Sequence, residues 1–136
     1  MSYHIVQKDS NGCGVACVAF ILNKKYSETL NLVENGSFKA KNRGFSCKDL
    51  VMILRKAQKD YRYKYITSKL KKKIYNNYTI VFIKRSKKYP SGHYLRRYNK
   101  QWMDPWLNFQ VNHNINKAKS GFRKRLPGKP IYMILV

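Results

Sequence analysis

The first half of the chain has the apolar spacing of helices. Residues 14–23 form a nearly unbroken apolar run, which predicts a buried helix that begins just after Cys13, although its length alone does not exclude a buried strand. Ser46, with Asp49 three residues later, predicts a shortened capping box at the start of another helix. Its apolar positions continue to about Lys59.

A shorter helix is predicted between these two. Ser27 is a favourable N-cap residue, and Asn35-Gly36 is a typical helix end. The leucine and valine side chains of this segment then point inward. Residues 37–44 are polar and basic and are predicted to form a loop.

After about residue 60 the apolar period changes from 3.6 to 2, which is typical of strands. Residues 68–74 predict a short basic helical segment, and residues 107–129 read as polar and irregular. Because Asn99-Lys100 is a good tight-turn pair, the strands on either side of it should form a hairpin. The predicted strands are residues 61–65, 78–83, 93–98, 101–104 and 131–136.

Helices followed by a largely antiparallel sheet are the α+β pattern, and a length of 136 residues fits one domain spanning residues 1–136. No apolar run is long enough for a membrane span, and the N-terminus lacks the pattern of a signal peptide. Three cysteines do not form a disulfide framework. We therefore expect a cytoplasmic protein, or one packaged within a virus or phage particle.

The charge is strongly positive and unevenly distributed. Twenty-nine Lys and Arg side chains oppose six Asp and Glu, a net charge of +23, and residues 55–136 alone carry +20. Such a field attracts nucleic acid or an acidic protein, although the lysines can also simply solvate the surface. The residues predicted to bind phosphates are Lys71, Lys72, Lys73, Arg96, Arg97, Arg123, Lys124 and Arg125.

Four residues have the order and spacing of a cysteine-based catalytic site. Cys13 lies where a glycine-flanked turn becomes a helix, and a helix N-terminus favours the thiolate. His93 begins a strand after a Pro/Gly turn, where an imidazole can act as the base. Asp104, across the predicted hairpin, is placed to orient His93. Gln7, six positions before Cys13, is an amide donor for an oxyanion.

The other cysteines have simpler interpretations. Cys17 lies one turn inside the apolar helix, so core packing is favoured over a role as nucleophile. Cys47 has no nearby histidine in the sequence and is predicted to be structural. A zinc site from the three cysteines is disfavoured by their spacing, and no metal or cofactor is predicted.

The motifs Gln7-x5-Cys13-Gly-x-Ala-Cys17, Gly92-His93-Tyr94 and Asp104-Pro resemble those of papain-fold cysteine peptidases. More narrowly, they resemble the C39-type peptidase domains that process bacteriocins with double-glycine leaders. The resemblance extends from Gln7 to Trp106 and includes the closing strand. It implies helices packed on an antiparallel sheet, a peptide or protein substrate and a small glycine at the scissile bond. It also implies a nucleophilic Cys13, a general base and acid in His93, an orienting Asp104 and an oxyanion donor in Gln7.

The sequence therefore predicts a cysteine peptidase or isopeptidase. The alternative is a strongly basic nucleic-acid-binding protein or nuclease that reuses the same fold. The two hypotheses are compatible, because a peptidase packaged with a genome would need both a thiol site and a basic surface.

Overall fold

The structure is a computed structural model that describes residues 4–110 and 114–136. The α-helices are α1 (Cys13–Leu22), α2 (Tyr26–Leu30), α3 (Gly36–Asn42) and α4 (Cys47–Lys56), and short 3₁₀ helices cover Lys71–Tyr75 and Ile115–Lys117. The strands are β1 (Arg62–Tyr65), β2 (Ile80–Ile83), β3 (His93–Tyr98), β4 (Gln101–Asp104), β5 (Gly121–Arg123) and β6 (Pro130–Leu135). The predicted sequence of helices followed by strands is confirmed.

The strands of this described region form one six-stranded sheet in the order β1-β6-β2-β3-β4-β5. Every neighbouring pair is antiparallel. The predicted hairpin joins β3 to β4, and Asn99 and Lys100 in its turn have φ angles of 48° and 67°. Positive φ at both central residues is the type I′ geometry whose twist matches that of the flanking strands. This turn fixes the register that brings the end of β4 towards the start of β3.

Successive side chains of each strand point to opposite faces of the sheet, and both faces are covered by packed residues. Ile80 packs with helices α1 and α4 on one face, whereas Val81 packs on the other face with Ile74 of the first 3₁₀ helix. Helix α1 is buried from Gly14 to Phe20, as its unbroken apolar sequence predicts. None of the helices in the described residues is long and apolar enough to cross a membrane.

Helix α4 begins as predicted. The Ser46 hydroxyl accepts a hydrogen bond from the Asp49 backbone N–H at 3.1 Å, and the Asp49 carboxylate accepts one from the Ser46 N–H at 3.0 Å. These two bonds satisfy two of the backbone groups left without intrahelical partners. The helix ends at Lys56, three residues earlier than predicted, and Gln58 adopts a φ of 63° just beyond it.

Three predictions about the other helices are wrong. Helix α2 ends at Leu30 rather than at Asn35-Gly36, where α3 begins instead. Helix α2 begins at Tyr26 with Lys25 as its N-cap, because Glu28 accepts the Lys25 N–H at 3.1 Å; Ser27 is therefore inside the helix. The segment predicted as a loop contains helix α3, whose Ala40 is fully buried and accepts the Asn11 N–H at 2.8 Å. Lysine and alanine are good helix formers, and this tertiary contact stabilises a helix that shows little apolar periodicity.

The segment predicted as irregular contains one short strand. Strand β5 forms because its three residues pair with the open edge of β4, with Phe122 opposite Met103. A strand of this length has too few residues to show an alternating pattern. Residues 111–113 of the same segment lie outside the described part of the chain.

Ser46→Ala is expected to lower the free energy of unfolding by about 1 kcal/mol, because it removes the acceptor of the Asp49 N–H. The matched control is Ser27→Ala, at an exposed position inside α2, where a change within about 0.5 kcal/mol is expected. Urea unfolding of the two variants measures the difference. Equal losses would show that the capping box of α4 contributes nothing specific.

Candidate active site

Cys13 is the first residue of helix α1 and is partly exposed. Gly12 precedes it in a turn closed by a hydrogen bond from its N–H to the Asp9 carbonyl at 3.0 Å. A side chain at position 12 would collide with the hydroxyl of Tyr26, which donates to the Asp9 carboxylate at 2.9 Å. The first turn of α1 contains no acidic residue that would oppose its positive end. The turn therefore presents the Cys13 thiol at the N-terminus of α1.

His93 and Asp104 are joined by a 2.6 Å hydrogen bond between Nε2 and Oδ1. In the β3–β4 register Arg96 is opposite Met103, so His93 and Asp104 are diagonal neighbours on one side of the hairpin rather than directly opposite. The sequence prediction that they would be close across the hairpin is confirmed. Gly92 makes the turn before His93, since it has a φ of +76° and a side chain there would collide with Phe82.

The Asp104 carboxylate is fully buried and accepts three hydrogen bonds. Oδ1 accepts from His93 and from the Trp106 backbone N–H at 3.0 Å, and Oδ2 accepts from Arg123 Nη1 at 3.1 Å. Burial raises the pKa of Asp104, but the charge of His93 and these hydrogen bonds lower it by more, so the net pKa is below its usual value. Asp104 is therefore held as a carboxylate.

His93 is buried, and Tyr89 stacks on its ring with a centroid distance of 4.7 Å and an interplanar angle of 4°. Burial alone lowers the pKa of His93, but the charge and hydrogen bond of Asp104, followed by interaction with the nearby Cys13, raise it to about 10. Because Nε2 faces Asp104, the second ring nitrogen is the one left for Cys13. Tyr89 was missed by the sequence analysis, which had only its position before the Pro-Ser-Gly turn as a signal.

Gln7 is buried and lines the same cavity as Cys13 and His93. Its Nε2 donates to the carbonyls of Asp9 and Ser10, at 3.0 and 3.2 Å, and its Oε1 has no hydrogen-bond partner among residues 4–110 and 114–136. In this arrangement the amide holds the turn that precedes Cys13. The predicted role of Gln7 as an oxyanion donor remains a prediction.

The cavity has a volume of about 740 Å³ and lies between the β2–β3 loop and the starts of α1 and α4. Cys47 lines it and is 3.7 Å from the Tyr94 hydroxyl, and burial raises the pKa of this thiol. Cys17 is fully buried inside α1, where desolvation raises its pKa well above the usual value. In the described residues, no group of three or more His, Cys, Asp or Glu side chains could hold a metal ion.

The predicted phosphate-binding residues do not form one surface. Arg96 is a correction: it is only 2% exposed, and its guanidinium lies 4.3 Å from the ring centroid of Phe20 and 4.5 Å from that of Tyr78, so it cannot reach a surface phosphate. Arg123 is committed to Asp104, and Arg97 is half-buried against aromatic rings. The members that remain exposed are Lys71, Lys72, Lys73, Lys124 and Arg125.

Several comparisons with known proteins bear on this arrangement. Among solved structures, the chain is similar to the peptidase domain of Streptococcus ComA, a bi-functional ABC transporter involved in a quorum sensing pathway. The two share 18% sequence identity over 96% of this chain and 94% of that chain, with a TM-score of 0.49. No curated protein matches the chain.

The model of the peptidase C39 family matches residues 1–119. The predicted α+β arrangement of helices packed on an antiparallel sheet is the one observed here. Because the family match extends over most of the chain, the protein belongs to the peptidase C39 family and is a cysteine peptidase.

Proposed function

We propose that this peptidase hydrolyses its substrate with Cys13 as nucleophile, His93 as general base and acid, and Asp104 as the orienting group. The observation that carries the proposal is the 2.6 Å hydrogen bond between His93 and the fully buried Asp104, next to a cavity that both Cys13 and His93 line. Cys13 and His93 line one cavity, so a bound peptide can reach both. This is the arrangement of nucleophile, base and orienter that acyl transfer needs.

In the proposed reaction His93 takes the Cys13 proton, and the thiolate attacks the carbonyl carbon of the scissile bond. The C–N bond breaks as the imidazolium gives its proton to the leaving amine, which leaves a thioester on Cys13. Water, deprotonated by His93, then hydrolyses the thioester and releases the carboxylate product. The position of Asp104 keeps one ring nitrogen bonded and leaves the other directed to Cys13.

The oxyanion in this proposal is held by two donors. As the first residue of α1, Cys13 has a backbone N–H without an intrahelical acceptor. Gln7 is the proposed second donor, and its Nε2 would exchange the longer of its two bonds, to the Ser10 carbonyl, for the substrate oxygen. A small glycine at the scissile bond, suggested by the resemblance to double-glycine peptidases, is part of the same proposal.

Cys13→Ala and His93→Ala are each expected to lower kcat/KM by at least about a thousandfold, because each removes a group that reacts with the substrate. A peptide with a Gly-Gly pair before the scissile bond is the substrate, and circular dichroism checks that the variants fold. The control is Cys47→Ala, which removes another thiol that lines the cavity and should retain activity. Full hydrolysis by Cys13→Ala would overturn the assignment of the nucleophile.

Asp104→Asn is expected to lower the pKa of His93, because it removes the charge that raises it to about 10. The alkaline limb of kcat/KM then moves to lower pH, since the imidazolium that protonates the leaving amine is lost earlier. In the wild type, protonated His93 adds to the free energy of unfolding. This contribution is complete below pH 6.5 and is lost as the pH rises through about 10. NMR titration of His93 measures the shift.

Asp104→Ala should impair activity more than Asp104→Asn, because asparagine keeps an acceptor for His93. The matched control is Asp60→Asn, which removes an exposed carboxylate and should leave the His93 titration unchanged. An unaltered His93 pKa in Asp104→Asn would contradict the proposed role of Asp104.

A second candidate function is binding of nucleic acid, with packaging in a virus or phage particle as its proposed setting. It is favoured by the exposed lysines of the first 3₁₀ helix, Lys71, Lys72 and Lys73, in a region of the chain with a net charge of +20. Those lysines do not line the cavity of Cys13. The nuclease alternative has less support, because the same cysteine and histidine already serve the peptidase.

If the exposed lysines contact about five phosphates, affinity for DNA should fall at least about 100-fold between 50 and 200 mM salt, because counterions are released on binding. Charge reversal of Lys71, Lys72 and Lys73 should weaken it further and leave the reactivity of Cys13 unchanged. Reversal of Lys24, Lys41 and Lys56, also exposed, is the matched control. Affinity that ignores salt, or no binding at low salt, would exclude this function.

A further inference from the structure

The cavity that contains Cys13 and His93 is lined by cations and by no acidic side chain among the described residues. The cations are Arg43, Lys48 and Arg85. All three are exposed, and none forms an ion pair in the part of the chain that the structure describes. Their charge is therefore available to a bound molecule.

These cations occupy two different walls. Arg43 caps the end of α3 and Lys48 lies in the first turn of α4, whereas Arg85 follows β2 in the loop that leads to His93. The nearby carboxylate of Asp49 does not line the cavity, since it bonds to the Ser46 N–H and pairs with Lys39 at 3.7 Å. A molecule in the cavity therefore meets positive charge from more than one element of the fold.

Two further features of the cavity bear on the kind of ligand it can bind. One adds to the positive potential, and the other provides apolar contacts. Helices α1 and α4 both begin at the cavity, at Cys13 and Cys47, so their positive ends face it. The lining also includes aromatic side chains, among them Phe45, Phe82, Tyr94, Trp106, Phe109 and Tyr132. A cleft with low-dielectric walls and charge of one sign concentrates ligands of the opposite charge.

We propose that the substrate of this peptidase is an acidic peptide segment, with Asp or Glu side chains close to the scissile bond and apolar side chains between them. This proposal rests on the proposed function for the cleavage reaction itself. The preference for acidic side chains is argued from the residues that line the cavity. Arg43, at the end of α3, and Arg85, after β2, each bind a carboxylate, and the aromatic lining contacts the apolar side chains. Guanidinium groups suit this role because their planar donors match a carboxylate.

The field around Cys13 can be measured without a known substrate. Iodoacetate and iodoacetamide both alkylate a thiolate, forming an S–C bond and releasing iodide, but only iodoacetate is negatively charged. The rate constant for alkylation of Cys13 by iodoacetate, divided by that for iodoacetamide, is measured by mass spectrometry. This ratio should fall by at least about threefold in Arg43→Gln/Arg85→Gln, because iodoacetate is no longer attracted by the two guanidinium groups. The charge of His93 affects this ratio equally in the wild type and in the double variant, so it does not contribute to the difference between them.

The matched control is Lys72→Gln/Lys124→Gln, which removes the same total charge from exposed positions outside the cavity. It should leave the rate ratio within about twofold of the wild type, because distant exposed charges are screened by salt. An equal fall in both double variants, or no fall in either, would overturn the proposal that the cleft residues select an acidic ligand.

Peptide cleavage then tests the substrate directly. Three versions of the Gly-Gly peptide are compared on the wild type and on both double variants. They carry Glu, Gln or Lys at the position before the Gly-Gly pair and at the position after the scissile bond. The Glu peptide should exceed the Gln peptide by about tenfold in kcat/KM, mainly through KM, since a charge-assisted bond contributes about that factor. Arg43→Gln/Arg85→Gln should abolish this preference, and the control should keep it.

The outcomes separate the two proposals. Cleavage of all three peptides at equal rates would overturn the acidic substrate and leave the peptidase mechanism intact. Selective alkylation by iodoacetate that depends on Arg43 and Arg85, with no cleavage of any peptide, would support the anionic ligand and count against the proposed reaction.

Discussion

The buried Asp104 carboxylate is the constraint on which the candidate site depends. A carboxylate with no exposed surface is stable only if its oxygens are hydrogen-bonded and its charge is compensated. His93, the Trp106 backbone and Arg123 meet that requirement from β3, from the segment after β4 and from β5. The same three contacts that compensate the charge therefore hold the edge of the sheet together and fix the imidazole.

Arg123 is one of the many basic residues of the chain, and it forms an ion pair inside the candidate site. In the sequence it belongs to a basic run, but its guanidinium forms an ion pair with the buried Asp104. Its strand, β5, pairs with the edge of β4. With one cation on each carboxylate oxygen, Asp104 is less able to accept a proton from His93, so the imidazolium remains the charged partner. Tyr89 completes the support by stacking on the ring, which leaves rotation of the imidazole little room.

The excess of positive charge has at least two separate locations in the structure. One part, Arg43, Lys48 and Arg85, surrounds the cavity of Cys13, and another part lies on the outer surface around the first 3₁₀ helix. Arg96 belongs to neither, because it is buried among aromatic rings. Net charge alone does not separate a substrate cleft from an outer binding surface, whereas the position of each cation relative to Cys13 does.

The sequence by itself determined the main helices, the hairpin and the order of Gln7, Cys13, His93 and Asp104, because apolar periodicity, capping residues and turn residues are local signals. Helix α3 and strand β5 were decided by tertiary contacts: burial of Ala40 stabilises the first, and the open edge of β4 provides the partner for the second. The same holds for Arg96 and Arg123, whose surroundings come from residues distant in sequence. Charge and residue type are fixed by the sequence, but burial and partners depend on how distant segments pack together, and this packing decided which cations line the cavity of Cys13.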